Sequence, residues 1–176
     1  MFVNITSRAW SLPILANLHL GVPGRQAALI SATGANRTAF AKSMTHLMDL
    51  ELLERNPGYG HPLRPEFRLT QLGAVMAKAA AEITSLSDAE GQRLIRRNWT
   101  VPVLTTLLRP NQFSVIKKDL ATISDRALSE TLRSMEDKNW VHRSVDHEAR
   151  PPRPLYQAVN SGALISSAAC QVISPV

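Results

Sequence analysis

Arg8-Ala9-Trp10-Ser11-Leu12-Pro13-Ile14-Leu15 returns further along the chain as Arg97-Asn98-Trp99-Thr100-Val101-Pro102-Val103-Leu104, at an offset of 89 residues. Self-similarity of this kind decides the fold before any single element does, because each copy must be one supersecondary unit. Phe40, Met44, Leu47, Asp49 and Leu52-Leu53-Glu54-Arg55 match Leu128, Leu132, Met135, Asp137 and Trp140-Val141-His142-Arg143 at an offset of 88. Arg64-Pro65-Glu66-Phe67 and Gly73 then match Arg153-Pro154-Leu155-Tyr156 and Gly162, again 89 apart. Three collinear matches at nearly constant offset are hard to obtain by chance, and a one-residue change between the first and second matches, reversed before the third, accounts for the offsets. The expected domains are 1–86 and 87–176, each large enough to fold. Their boundary falls in a helical connection around Ser85 to Gly91, where Ser87 or Asp88 is placed to cap the next helix.

Within one copy the elements follow from periodicity and punctuation. From about Thr6 to Leu20, Trp10, Ile14, Leu15 and Leu18 fall at helical spacing, with Thr6 or Ser7 available as N-cap. Pro13 lies inside that span, as Pro102 does in the second copy, so the helix is expected to bend or to begin near the proline. Gly21-Val22-Pro23-Gly24 is a turn, Arg25 to about Ala32 a short helix and Thr33-Gly34-Ala35 a second turn. The second copy runs through Pro110-Asn111, a helix from about Gln112 to Leu120, and Ala121-Thr122-Ile123. Helix, short turn, helix is the helix-turn-helix layout.

The next helix starts at Asn36 in one copy and at Ser124 in the other, both good caps. Phe40, Met44 and Leu47, like Leu128, Leu132 and Met135, keep the i, i+4, i+7 spacing of a buried face. Leu52 to Arg55 and Trp140 to Arg143 read as strands that return through Glu66 to Leu69 and Leu155 to Ala158, across loops 56–65 and 144–154 rich in Gly, Pro and charge. Helices from Gln71 to about Ile83 and from Ser161 to about Val172 close the copies. The expected fold class is mainly α with small β-hairpin wings (α+β): two tandem winged helix-turn-helix domains.

Hydrophobic residues make up 44% of the 176 and charged ones 19%, which implies a packed core. The net charge of +6 and pI near 10.1 favour a polyanionic partner, nucleic acid ahead of an anionic membrane. The one cysteine, Cys170, has no second cysteine to pair with, which fits a reducing cytoplasm. No stretch approaches a membrane span, and no secretory leader is recognisable, so a cytoplasmic location is expected.

The outward positions of the third helix are Asn36, Arg37, Thr38, Ala41, Lys42 and Thr45 in the first copy and Ser124, Asp125, Arg126, Ser129, Glu130 and Arg133 in the second. A recognition helix addresses the major groove from such positions, with its first turns toward base edges and its N-terminus favouring phosphate. A solvated polar face is the plainer reading of the spacing alone; the hairpin that follows each helix tips the balance toward the groove. Arg64, Arg68, Arg150 and Arg153 stand where a wing reaches phosphate or a minor groove. Glu66, Asp146 and Glu148 are alternative partners for some of them; Arg64 and Arg153 occupy the same place in the repeat, which favours phosphate there. No phosphate-binding Gly loop, nucleophile motif or metal-spaced cluster is present, and His19, His46, His61, His142 and His147 are dispersed. No catalysis, cofactor or metal is expected.

These residues resemble the HxlR-type branch of the winged-helix regulators, relatives of the MarR family. The resemblance rests on the Trp-x-x-Pro-Ile/Val-Leu opening, the capped third helix, Leu52-Leu53-Glu54-Arg55, and Phe67-Arg68-Leu69-Thr70-Gln71-Leu72-Gly73, which is similar to the Tyr-x-Leu-Thr-x-x-Gly motif that closes the wing in that group. It implies a bacterial-type transcriptional regulator whose partner is double-stranded DNA. Such relatives usually carry one domain per chain and dimerise, so a tandem copy implies an intramolecular pseudo-dimer, with another protein or a second protomer as a further partner. The second copy has drifted: Ala158-Val159-Asn160-Ser161 replaces Leu69-Thr70-Gln71-Leu72, and its third helix carries Asp125 and Glu130. Relatives that sense redox stress do so through a cysteine near the N-terminus, and this chain has none there. The alternative from a different class is a tandem winged-helix adaptor that binds protein and not DNA.

Overall fold

The computed structural model describes residues 1–56, 66–147 and 150–173. Among these the chain is mainly helical, with one two-stranded and one three-stranded antiparallel sheet. It divides into two compact units, Asn4–Ser85 and Leu86–Val176, the second also holding Met1–Val3. The first unit follows α1 (Phe2–Thr6) with α2 (Ser11–His19), α3 (Gln26–Thr33), α4 (Arg37–Asp49), β1 (Leu53–Asn56), β2 (Glu66–Leu69) and α5 (Gln71–Ser85). The second contains α6 (Ala89–Ile95), α7 (Thr100–Thr105), β3 (Asn111–Gln112), α8 (Phe113–Leu120), α9 (Asp125–Asp137), β4 (Val141–Asp146), β5 (Arg153–Ala158) and α10 (Asn160–Ile173).

The expected helix from Thr6 to Leu20 is in fact two helices. Thr6 is the last residue of α1, not a cap, and α2 starts after Trp10, which offers no side-chain cap. Pro13 is then the third residue of α2 and Pro102 the third of α7. In a first turn the backbone N–H has no intrahelical partner, so proline costs nothing there, and its fixed φ suits the helix.

Small residues set the packing of each unit. α2 lies along α5, where Ala77 and Ala80 are fully buried and let the two backbones approach. α7 lies against α10 in the same way, over Ala168 and Ala169, and Ser166 Oγ donates to the carbonyl of Leu104 at 2.6 Å. Phe40, Met44 and Leu47 of α4 and Leu128, Leu132 and Met135 of α9 are buried, as their spacing requires.

The second sheet has a strand that the sequence did not announce. β3 pairs with β5 through Asn111 opposite Tyr156 and Gln112 opposite Leu155, giving the order β3-β5-β4. Pro154 stands in β5 just outside that pairing, so its missing N–H removes no bond to β3. In the first unit the same place is held by Gly24, whose carbonyl accepts from the Phe67 N–H at 2.7 Å.

The end of α4 or α9, the hairpin and the following helix meet at one backbone junction in each unit. The Leu52 N–H donates to Leu47 O and the Thr70 N–H to Leu52 O, and Trp140 to Met135 O and Val159 to Trp140 O repeat the pattern. A Cβ on Gly73 would stand 1.9 Å from the Leu52 carbonyl oxygen, and one on Gly162 2.2 Å from that of Trp140. Gly73→Ala and Gly162→Ala should therefore each cost about 1–3 kcal/mol or more in denaturant unfolding, the range for overpacking, and a loss under about 0.5 kcal/mol would contradict the junction. The turn into each junction runs through a left-handed residue, Glu51 (φ 56°) or Asn139 (φ 57°). Asparagine tolerates that conformation and glutamate does not, so Glu51→Asn should raise stability by up to about 1 kcal/mol; an unchanged or lower unfolding midpoint would speak against this.

Candidate nucleic-acid interface

The helix pair that would face a groove is built by its caps and turns. α3 ends in Gly34 at φ 69°, a left-handed C-terminal residue, and Ala35 buries its methyl group in the turn. Asn36 then caps α4, its side chain accepting from the Ala39 N–H at 2.8 Å. In the second unit Ile123 is the buried turn residue, and Ser124 caps α9 through the Ala127 N–H at 3.2 Å. With the apolar face of each helix turned inward, Arg37, Thr38, Ala41, Lys42 and Thr45 are exposed on α4, and Asp125, Arg126, Ser129, Glu130 and Arg133 on α9.

The two faces differ in charge: the α4 face carries Arg37 and Lys42, and the α9 face two acids and two arginines. At the offset of 88 residues, Arg37 corresponds to Asp125 and Lys42 to Glu130. Arg37 and Lys42 have no ion pair among the described residues. On α9 the charges are taken up locally: Asp125 pairs with Lys117 of α8, and Arg126 pairs with Glu130 at 2.8 Å. The hydrogen bond to Glu130, helped by its charge, holds the Arg126 guanidinium above its ordinary pKa. Arg133 is the cation on this face with no ion pair among the described residues.

The hairpins hold the remaining arginines. β1 and β2 pair with Glu54 opposite Arg68, and Arg68 is exposed. Arg64, like His61, lies outside the described residues. Glu66 is engaged by Arg25 at 2.9 Å, from the turn that leads into α3. In the second unit the expected loop from 144 to 154 is shorter, because β4 runs on to Asp146 and β5 begins at Arg153. Arg153 therefore sits on a strand, exposed, opposite Asp146 in the register, with Nη1 donating to Gln112 Oε1 at 3.3 Å. Arg150 is exposed in the loop itself. Arg143 on β4 is also exposed and was not among the expected contacts, since an isolated arginine in a strand carries no spacing signal.

Other chemistry is sparse. Among the described residues no group of three or more His, Cys, Asp or Glu side chains is placed to hold a metal, and no helix is long and apolar enough to cross a membrane. Cys170 Sγ donates to the Thr105 carbonyl at 3.5 Å, and burial pushes its thiol pKa up, which makes it a poor nucleophile.

Comparison with known proteins adds two findings. The model of the HxlR-like helix-turn-helix family matches residues 94–173, from the end of α6 to the end of α10. Among solved structures, the reduced form of the transcriptional regulator YodB from B. subtilis is similar at 22% identity, covering 46% of this chain and 78% of that one with a TM-score of 0.40. No curated protein matches the chain. Thus residues 94–173, in the second unit and including its helix-turn-helix and hairpin, match an HxlR-like helix-turn-helix.

Proposed function

We propose that this chain is a sequence-specific DNA-binding transcriptional regulator made of two tandem winged helix-turn-helix modules. The observation that carries the reading is the outward face of α4. A capped helix, third in its unit and followed by a hairpin, exposes Arg37, Thr38, Lys42 and Thr45, and both cations lack an ion pair among the described residues. Cations held free of internal partners are available to phosphate and to guanine edges. The family match over residues 94–173 and the basic charge of +6 support the same reading.

The tandem duplication is supported by geometry repeated at the same offsets as the sequence. The left-handed residues Glu51 and Asn139, the tight glycines Gly73 and Gly162, and the caps Asn36 and Ser124 recur together. So do the buried hydroxyls of Ser11 and Thr100, neither with a hydrogen-bond partner among the described residues. Two modules in one chain would act as a pseudo-dimer on an operator with two unequal half-sites, because the two reading helices differ in charge.

On this reading the first module contributes base contacts from Arg37, Thr38, Lys42 and Thr45 and backbone contacts from Asn36, Arg64 and Arg68. The second contributes Ser124, Arg126, Ser129, Arg133, Arg150 and Arg153, with Arg126 and Arg153 available only when they leave Glu130 and Gln112. One observation favours the adaptor reading for the second module: α9 carries four acids against two arginines, and only two of the acids, Asp125 and Glu130, are in ion pairs among the described residues. A hybrid follows, in which α4 holds DNA and the second module also meets a protein.

Arg37→Ala or Lys42→Ala should each weaken binding to the preferred duplex by about 1–3 kcal/mol, read by fluorescence anisotropy. Glu130→Lys, which restores the sign found at Lys42, should tighten it. Unchanged affinity in both alanine variants would remove α4 as the reader.

A further inference from the structure

Beside α4 the first unit has a cleft of about 400 Å³ lined by Arg8, Ala41, Lys42, Thr45, His46 and Asp49. Four of these, Ala41, Lys42, Thr45 and Asp49, lie on the exposed face of α4, so the cleft continues the proposed reading surface away from its N-terminus. Arg8 comes from the turn between α1 and α2, and that turn is tied to α4. His46 Nε2 lies 2.7 Å from the Asn4 carbonyl oxygen and 3.0 Å from Ser7 Oγ, while Ser7 Oγ donates to the same carbonyl at 2.7 Å. The Ser11 N–H donates to Arg8 O at 3.1 Å and closes the turn. Arg8 itself is exposed and has no ion pair among the described residues. An arginine thus borders the same cleft as Lys42, on a turn tied to α4 and without an ion pair among the described residues.

The second unit has a comparable cleft in which two of the three lining cations, Arg97 and Lys138, are held by neighbours, while Arg93 has no ion pair among the described residues. There it measures about 320 Å³ and is lined in part by Arg97, Ser134, Asp137 and Lys138. Arg97, the counterpart of Arg8, donates from Nη1 to Ser134 Oγ at 2.9 Å, and Ser134 stands where the first unit has His46. Lys138 is held by Asp88 and Glu90, each at 2.8 Å. Glu130 replaces Lys42 on the neighbouring turn of the helix.

We infer that Arg8 is a backbone-phosphate contact of the first unit, gripping the DNA strand that passes the outer side of α4, and that Arg97 has no such role. The inference rests on the DNA-binding reading above and adds to it a positioning residue outside both the recognition helix and the hairpin. A single guanidinium held this way neutralises one phosphate without reading a base.

The test is a salt series of anisotropy titrations with random-sequence duplex DNA on the full chain and its variants. Arg8→Ala should lower the slope of log affinity against log salt by about 0.9, the contribution of one released counterion, and leave the retained sequence motif unchanged. Arg8→Lys should keep the slope, and Arg97→Ala should match the parent chain. A slope unaffected by Arg8→Ala while Lys42→Ala still weakens binding overturns the phosphate contact alone. A changed motif in Arg8→Ala also overturns it, since Arg8 would then read bases. No binding by the parent chain, even at low salt, overturns the DNA reading itself and this contact with it. Circular dichroism of Arg8→Ala separates any loss of folding from loss of contact, and Arg8→Lys carries the test if the alanine variant unfolds.

Discussion

Each unit depends on a junction where a helix start is pressed against the carbonyl that leads into the hairpin. Gly73 against Leu52 O and Gly162 against Trp140 O leave no room for a side chain. The reading helix ends, the hairpin begins and the closing helix starts within a few residues of that contact, so their relative angles are fixed by backbone and not by adaptable side chains. The two units reach the same geometry with different chemistry. In the first, Thr70 Oγ1 donates to the Glu51 carbonyl and accepts from the Gly73 N–H. In the second, valine stands at that place, and Asn160 Nδ2 donates to the Asn139 carbonyl instead. The sequence drift there keeps the junction and changes only the donor.

What the chain reveals before folding is what local chemistry controls. The starts of α4 and α9 were legible because Asn36 and Ser124 satisfy N–H groups three residues ahead, a rule that needs no tertiary context. β2 was legible because its apolar residues sit between punctuation and the Thr-x-x-Gly stretch. The split between α1 and α2 was not, since helical periodicity runs through Arg8 and Ala9 and only the backbone break at Trp10 separates the helices. β3 depends on a neighbour more than 40 residues away, and no spacing within the segment encodes that, while the strand position of Arg153 follows from β4 extending to Asp146. The outward positions of α4 and α9 were legible, but the state of their charges was not. Whether Arg126 is free or held by Glu130, and whether Arg8 borders the same surface as Lys42, are facts of packing.

The contrast between the units gives the molecule its functional logic. A duplicated module whose two copies kept identical faces would ask for a symmetric target. Here Asp125 and Glu130 stand where the first unit has Arg37 and Lys42, and Arg97, Lys117 and Arg126 of the second unit are engaged at home. On the proposed reading, attraction to a phosphate backbone along the outward helix face would be stronger at α4 than at α9. On this account the asymmetry assigns affinity and orientation to one module and leaves the other to refine the choice of site or to meet a second partner.

The most direct measurement of the central claim is selection of bound fragments from a pool of random duplex DNA, followed by sequencing of what the chain retains. The account predicts enrichment of a motif with two unequal half-sites, the stronger of which disappears when the α4 cations are removed. Failure to retain any DNA at low salt, or a motif that survives loss of both Arg37 and Lys42, would contradict it.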